Sequence, residues 1–97
     1  MYRLSNLAAE DFAAIYEYTL LNFGARQADD YTHGLESTFR LLSSSPLMGY
    51  ECQEIADGVR RYDHQRHAIF YRWRKHVIFV IRILHRQMEP MKHFFEI

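Results

Sequence analysis

Three segments rich in Val, Ile, Phe, Tyr and Trp follow one another between Val59 and His85: a short one through Arg60, Arg61 and Tyr62, then His67–Trp73, then Val77–His85. β-Branched and aromatic residues suit a pleated, half-buried surface, so all three are expected as strands. Only Arg74, Lys75 and His76 separate the last two, a gap that admits a hairpin loop and nothing larger. Side chains alternate along a strand, so a loop of even length sets Ile69, Tyr71 and Trp73 on one face with Ile78, Val80, Arg82 and Leu84. The opposite face then carries Ala68, Phe70 and Arg72 beside Phe79, Ile81, Ile83 and His85. Both faces are apolar in the middle, whereas a sheet with one wet face would alternate more cleanly. Each face needs a cover.

The preceding residues supply one. Tyr2–Leu4 reads as a short first strand, ended by Ser5 and Asn6, whose side chains can accept hydrogen bonds from the free N–H groups of a helical first turn. A helix is expected from Leu7 to Phe23, with Ala8, Phe12, Ile15 and Thr19 as its inward stripe and Gly24 beyond its end. A second runs from Ala25 to Leu42, with Ala28, Tyr31, Leu35, Phe39 and Leu42 inward, until Ser43–Pro46 stop it. So short a link makes the pair an antiparallel hairpin, which buries its apolar side on the first face of the sheet. Arg82 on that face should find a carboxylate, Asp11 or Glu17, because an unpaired buried charge is costly. Tyr71 and Trp73 are expected in the core beneath the helices. Met48–Asp57 reads as an irregular acidic connection, and a last apolar piece with Met91, Phe94 and Phe95 suits a short helix starting at Pro90. The fold class is α+β: an N-terminal strand, a two-helix hairpin, and a C-terminal antiparallel sheet of about three further strands, all in a single domain spanning 1–97.

Several functions are excluded or disfavoured at this level. The longest apolar run, Val77–Ile81, is far short of the roughly 20 residues a membrane span needs. Glu10 and Asp11 interrupt any secretory h-region, and a single cysteine, Cys52, fits a reducing compartment, so a cytoplasmic location is expected. Cys52 reads as an inert thiol. His64 and His67, three apart on a regular strand, should point to opposite faces, so no metal site is expected, and no phosphate-cradling glycine loop or other cofactor motif is present. Net charge is zero but lopsided: residues 1–57 hold three arginines against nine acidic residues, and residues 58–97 hold nine basic residues against three acidic ones. A basic half suits an acidic protein segment or nucleic acid. His85 with the arginines could in principle serve acid–base and phosphate chemistry on RNA. The apolar centre of the second face suits protein binding better.

The order strand, helical hairpin, then strands containing GVRRY (Gly58–Tyr62), HAIFYRW (His67–Trp73) and IRILHRQME (Ile81–Glu89) resembles the ParE toxin family within the RelE/ParE superfamily. The likeness extends over nearly the whole chain, including Ser5, Ala8, Asp11, Ile15 and Tyr18 in the first helix and Phe39, Leu42 and Pro46 ending the second. It implies a bacterial toxin of a type II toxin–antitoxin system that inhibits DNA gyrase, is not itself an enzyme, and is neutralised by a ParD-like antitoxin that carries the contact with operator DNA. The second face would then be the antitoxin surface, through Ala68, Phe70, Arg72, Phe79, Ile81, Ile83 and His85, with Arg60, Arg61 and Arg86 as candidate contacts to the target. The runner-up is a RelE-like, ribosome-dependent mRNA interferase. Where several of those relatives place a catalytic arginine this chain has Ala68, and His85 is followed by Arg86 with no tyrosine after Tyr71. An inactive relative that binds only its antitoxin is the third possibility.

Overall fold

A computed structural model describes residues 1–94. β1 (Tyr2–Leu4) leads into α1 (Asn6–Phe23) and α2 (Ala25–Ser44), followed by β2 (Tyr50–Glu51), β3 (Arg60–His64), β4 (His67–Arg74), β5 (Val77–His85) and α3 (Pro90–Phe94). Pro90 and Phe94 thus stand in the expected short helix, and Phe95 lies outside the described residues. The sheet has the order β1-β5-β4-β3-β2, with β1 parallel to β5 and the other pairs antiparallel. The α+β architecture is the expected one, with one more strand than the pattern suggested. β2 is only two residues long and flanked by turn residues, so it carries no alternation that could have marked it.

Ser5 joins the first strand to the first helix. Its side chain accepts from Ala8 N at 3.0 Å as an N-cap, its own N–H donates to Val80 O at 2.9 Å, and its Oγ donates to Ile81 O at 2.7 Å. α1 therefore starts against the edge of β5. Gly24, at φ +94°, supplies the left-handed residue between the helices, which bury Ala8, Ile15, Leu35, Phe39 and Leu42 against Ile69, Tyr71, Ile78, Val80 and Ile83. The β4–β5 turn is Lys75–His76, both at positive φ (49° and 64°), as a two-residue type I′ hairpin turn requires, although neither is the usual Gly or Asn.

One irregularity changes the expected faces. Phe70 pairs with Arg82 while Tyr71 pairs with Val80, so Ile81 is an extra residue in β5. Such a bulge reverses the inside–outside alternation of everything beyond it. Ile78 and Val80 face the helices as expected. Beyond the bulge Ile83 takes the inner place, while Arg82, expected on the helix side, stands opposite Phe70 in the outer row, and Leu84 also turns outward, where it packs with Ala68 and Phe70. Residues 52–59, which begin within the expected Met48–Asp57 connection, close over that part of the outer face: Cys52, Ile55 and Val59 are buried there, with Phe94 of α3 alongside. Trp73, expected in the core, is exposed at the end of β4.

Beyond Val80, β5 has no β1 beside it, and α1 takes the place of a neighbour strand. Asp11 Oδ2 accepts from Ile83 N at 2.9 Å, while Arg82 donates Nε to Oδ2 at 2.9 Å and Nη2 to Oδ1 at 3.0 Å. Of the two acidic residues expected to meet Arg82, Asp11 is the partner. Arg82 Nη1 also donates to His93 O at 3.2 Å, tying α3 to the same edge. Removing the carboxylate leaves a mostly buried guanidinium and a strand N–H unanswered. Asp11→Ala is expected to lower unfolding free energy by about 2–4 kcal/mol in urea denaturation. A loss no larger than that of an exposed substitution such as Glu17→Ala would contradict this role.

Candidate functional site

The outer face divides at the bulge into a closed part and an open one. In the open part the strand register sets Arg3, Phe79 and Arg72 in one row across β1, β5 and β4, with Val77 and Arg74 in the next row towards the turn. Ile55, Ala56 and Val59 form one wall, and Ile81 and Phe94 close the end. The result is an open groove of about 720 Å³ with an apolar floor, a rim of Arg3, Arg72, Arg74 and Lys75, and no acidic residue among the described residues of its lining. Phe79 at its centre is 38% exposed. Leaving Phe in water is costly, which makes this groove the candidate surface for a binding partner.

The expected surface residues separate accordingly. Arg72, Phe79 and Ile81 line the groove. Ala68 and Phe70 stand on the outer face but are buried under residues 52–59 and Phe94, whose ring is 5.2 Å from that of Phe70. Ile83 and His85 do not belong to this face, because the bulge turns them towards the helices. The three candidate target contacts do not form one patch either. Arg60 is held by Gly49 O at 2.6 Å and by Glu51 at 3.3 Å, and Arg61 by Asp63 at 2.8 Å. Arg86 reaches the same Asp63 at 3.5 Å and is the most exposed of the three. Arg3 joins the groove through its pairing with Phe79, which nothing in a three-residue strand announces in the sequence. Tyr71 is buried as expected, but its hydroxyl donates to Pro46 O at 2.8 Å and accepts from Gly49 N at 2.9 Å. A Cβ at Gly49 would lie 2.7 Å from that oxygen, so the close approach requires glycine.

A second cleft, of about 550 Å³, lies on the other side of the sheet between α1, α2 and the ends of β4 and β5. Here His64 and His67, expected on opposite faces, are direct cross-strand partners of a tight hairpin and share the helix face. The spacing rule failed because the chain reverses between them. The Tyr31 hydroxyl lies 2.6 Å from His67 Nδ1, the His67 and His85 rings are 5.6 Å apart, and His64 Nδ1 is 3.0 Å from Thr38 Oγ1. Gly34 lets α2 approach closely: a Cβ there would meet the His64 ring at 3.1 Å. Burial, then the neighbouring His85, His64 and Arg66, pushes His67 down to about 4, so that a neutral imidazole shares the hydrogen bond with Tyr31 near pH 7. Burial also lowers His64. Among the described residues no three His, Cys, Asp or Glu side chains are grouped to hold a metal ion. Cys52 is buried and burial raises its thiol pKa, which keeps the thiolate scarce. No helix among the described residues is long and apolar enough to cross a membrane.

Comparison with known proteins gives a consistent picture. Residues 2–90 match the family model described as ParE toxin of type II toxin–antitoxin system, parDE. The chain is 35% identical over 92 residues to a Toxin ParE1 of Caulobacter vibrioides, covering 95% of each chain. It is 32% identical over 89 residues to a Toxin ParE1 of Mycobacterium tuberculosis, covering 91% of each. A solved structure titled chromosomal ParDE TA system from P. aeruginosa contains a chain of the same fold, with a TM-score of 0.74 at 19% identity over 87% of this chain and 92% of that one.

The histidine cluster has a signature in stability. A histidine held below its unfolded value favours the unfolded state on protonation, so its contribution is complete above about pH 6.5 and is lost as pH falls towards about 4. Between pH 6.5 and 5, above the carboxylate range, His67→Gln should reduce the pH-dependent loss of unfolding free energy by about 1 kcal/mol, allowing for partial exposure. An unchanged slope across that window would show that His67 is not held neutral by its surroundings.

Proposed function

Because the chain belongs to the ParE toxin family of type II toxin–antitoxin systems, we propose that it inhibits DNA gyrase and is neutralised by a ParD-type antitoxin seated in the outer-face groove. Family membership supports the target and the class of antitoxin. The observation that carries the choice of surface is Phe79, exposed at the centre of an apolar floor that the chain's own cover leaves open. Buried apolar area at the centre of a patch with a charged rim is the usual anatomy of a stable protein interface. On this reading Arg72, Phe79 and Ile81 of the original set touch the antitoxin. Ala68 and Phe70 support them from beneath, and Ile83 and His85 act only through the helix side.

The toxin performs no chemistry of its own in this account. It binds gyrase engaged with DNA and holds the enzyme in its cleaved state, and DNA reaches the complex otherwise only through the antitoxin. Both partners would be met in the bacterial cytoplasm. An RNA-cleaving reading draws less support: its cations Arg61 and Arg86 are both engaged by Asp63, and Ala68 stands buried where a catalytic arginine would be needed. Arg86, the freest of the three candidate target contacts, is the one retained for gyrase.

A supercoiling and DNA-cleavage assay with purified toxin tests this directly. Lost supercoiling with accumulation of linear plasmid, reversed by the antitoxin, is the expected result, and His85→Ala should retain most of the effect. Unaffected gyrase, together with loss of mRNA in a translation extract, would transfer the protein to the interferase class. Phe79→Asp combined with Ile81→Asp should abolish reversal by antitoxin, and intact neutralisation of that variant would move the antitoxin surface elsewhere.

A further inference from the structure

Among the described residues, the groove's cations gather on one apolar floor without an ion-pair partner. Arg60, Arg61, Arg82 and Arg86 are each matched by a carboxylate of the chain. Among the described residues no ion pair involves Arg3, Arg72, Arg74 or Lys75, the four that line the groove. Arg72 is the sharpest case. Its Nε is buried, yet has no hydrogen-bond partner among the described residues. A donor removed from water without an acceptor opposes folding, and such groups call for an explanation. Arg72 flanks Phe79 on one side and Arg3 flanks it on the other, in register, so the backbones that carry the two cations are about 10 Å apart across two strand spacings with an exposed aromatic residue between them.

We infer that the groove is built for an acidic segment of the antitoxin, in which an apolar side chain sits on Phe79 and a carboxylate accepts from Arg72 Nε, with a second carboxylate near Arg3. This rests on the reading that the antitoxin occupies the groove, and adds the chemistry by which it is recognised. A carboxylate is the acceptor that suits a guanidinium edge, because two N–H groups can be answered at once. The apolar floor supplies affinity, and the cations select which apolar segment is admitted. A second copy of this chain is a poor occupant: a two-fold contact sets the same patch against itself, which would bring two sets of four unpaired cations together. Nucleic acid would satisfy the rim but leave the floor of Val77, Phe79 and Ile81 without an apolar partner.

The test is calorimetric titration of the purified toxin with the antitoxin encoded beside it, using Arg72→Met, which keeps the aliphatic stem, and Arg72→Lys, which keeps the charge. Arg72→Met should raise Kd roughly 30-fold or more, with Arg72→Lys in between, and affinity should weaken with added salt far more for wild type than for Arg72→Met. Each Asp and Glu of the antitoxin's toxin-binding segment is changed in turn to its amide. One of them should weaken binding to wild-type toxin and cost nothing further against Arg72→Met, a coupling that a mere loss of folding would not produce. Wild-type binding with Arg72→Met within twofold, or no coupled carboxylate, overturns the inference while leaving antitoxin docking intact. Failure of wild-type toxin to bind the antitoxin overturns the parent reading as well. An Arg72→Met variant that alters only the toxin's self-association would make the groove an interface between copies and refute the assignment.

Discussion

Asp11 is the residue on which the two halves of the fold depend. Its carboxylate accepts from both an arginine fork and a strand N–H, and it does so at the point where β5 bulges and loses its neighbour β1. A bare strand edge beside a bulge is a weak place in any sheet, open to slippage and to pairing with other chains. The first helix covers it through Ser5 and Asp11, buried Ala8 and Ile15 hold the helix over the inner face, and Arg82 extends the same network to α3. One extra residue in β5 is thereby made compatible with a packed core on both sides.

The bulge also decides where the surface is available. Had β5 alternated regularly, Phe79, Ile81, Ile83 and His85 would have formed one outward row. Instead the row is cut: Ile83 and His85 turn inwards, Leu84 turns outwards and is covered by residues 52–59, and only the stretch towards the β4–β5 turn stays open. There Phe79 lies between Arg3 and Arg72. The zero net charge of the chain conceals a local separation, since the acidic residues of the helices and of the 50–57 segment contribute nothing to the groove lining. Apolar floor and cationic rim together are the features on which the proposed docking of a partner with the opposite arrangement rests.

Much of this was legible beforehand. The strand composition between Val59 and His85, the 3–4 spacing of the helices, the Ser5 cap, Gly24 and even the need for a carboxylate opposite Arg82 follow from local chemistry and from the cost of a bare buried charge. What could not be read were events that depend on pairing. The extra residue Ile81 leaves no mark in composition, because isoleucine suits either face. β2 exists only because Tyr50 and Glu51 lie beside Arg61 and Arg60. His64 and His67 share a face because a two-residue turn reverses the chain between them, a case in which sequence spacing and spatial spacing part. The cover over Phe70 comes from a segment whose Cys52, Ile55 and Val59 have helix-like spacing of three and four but fold as successive turns, so their spacing does not say which surface they cover.

The open groove around Phe79 is the proposed docking site of the antitoxin. Hydroxyl-radical footprinting of the toxin, free and in complex, reads that side chain directly. Phe79 should be readily labelled in the free toxin and strongly protected once the antitoxin is bound. Equal labelling of Phe79 in both states would contradict the account, whatever the affinity of the complex.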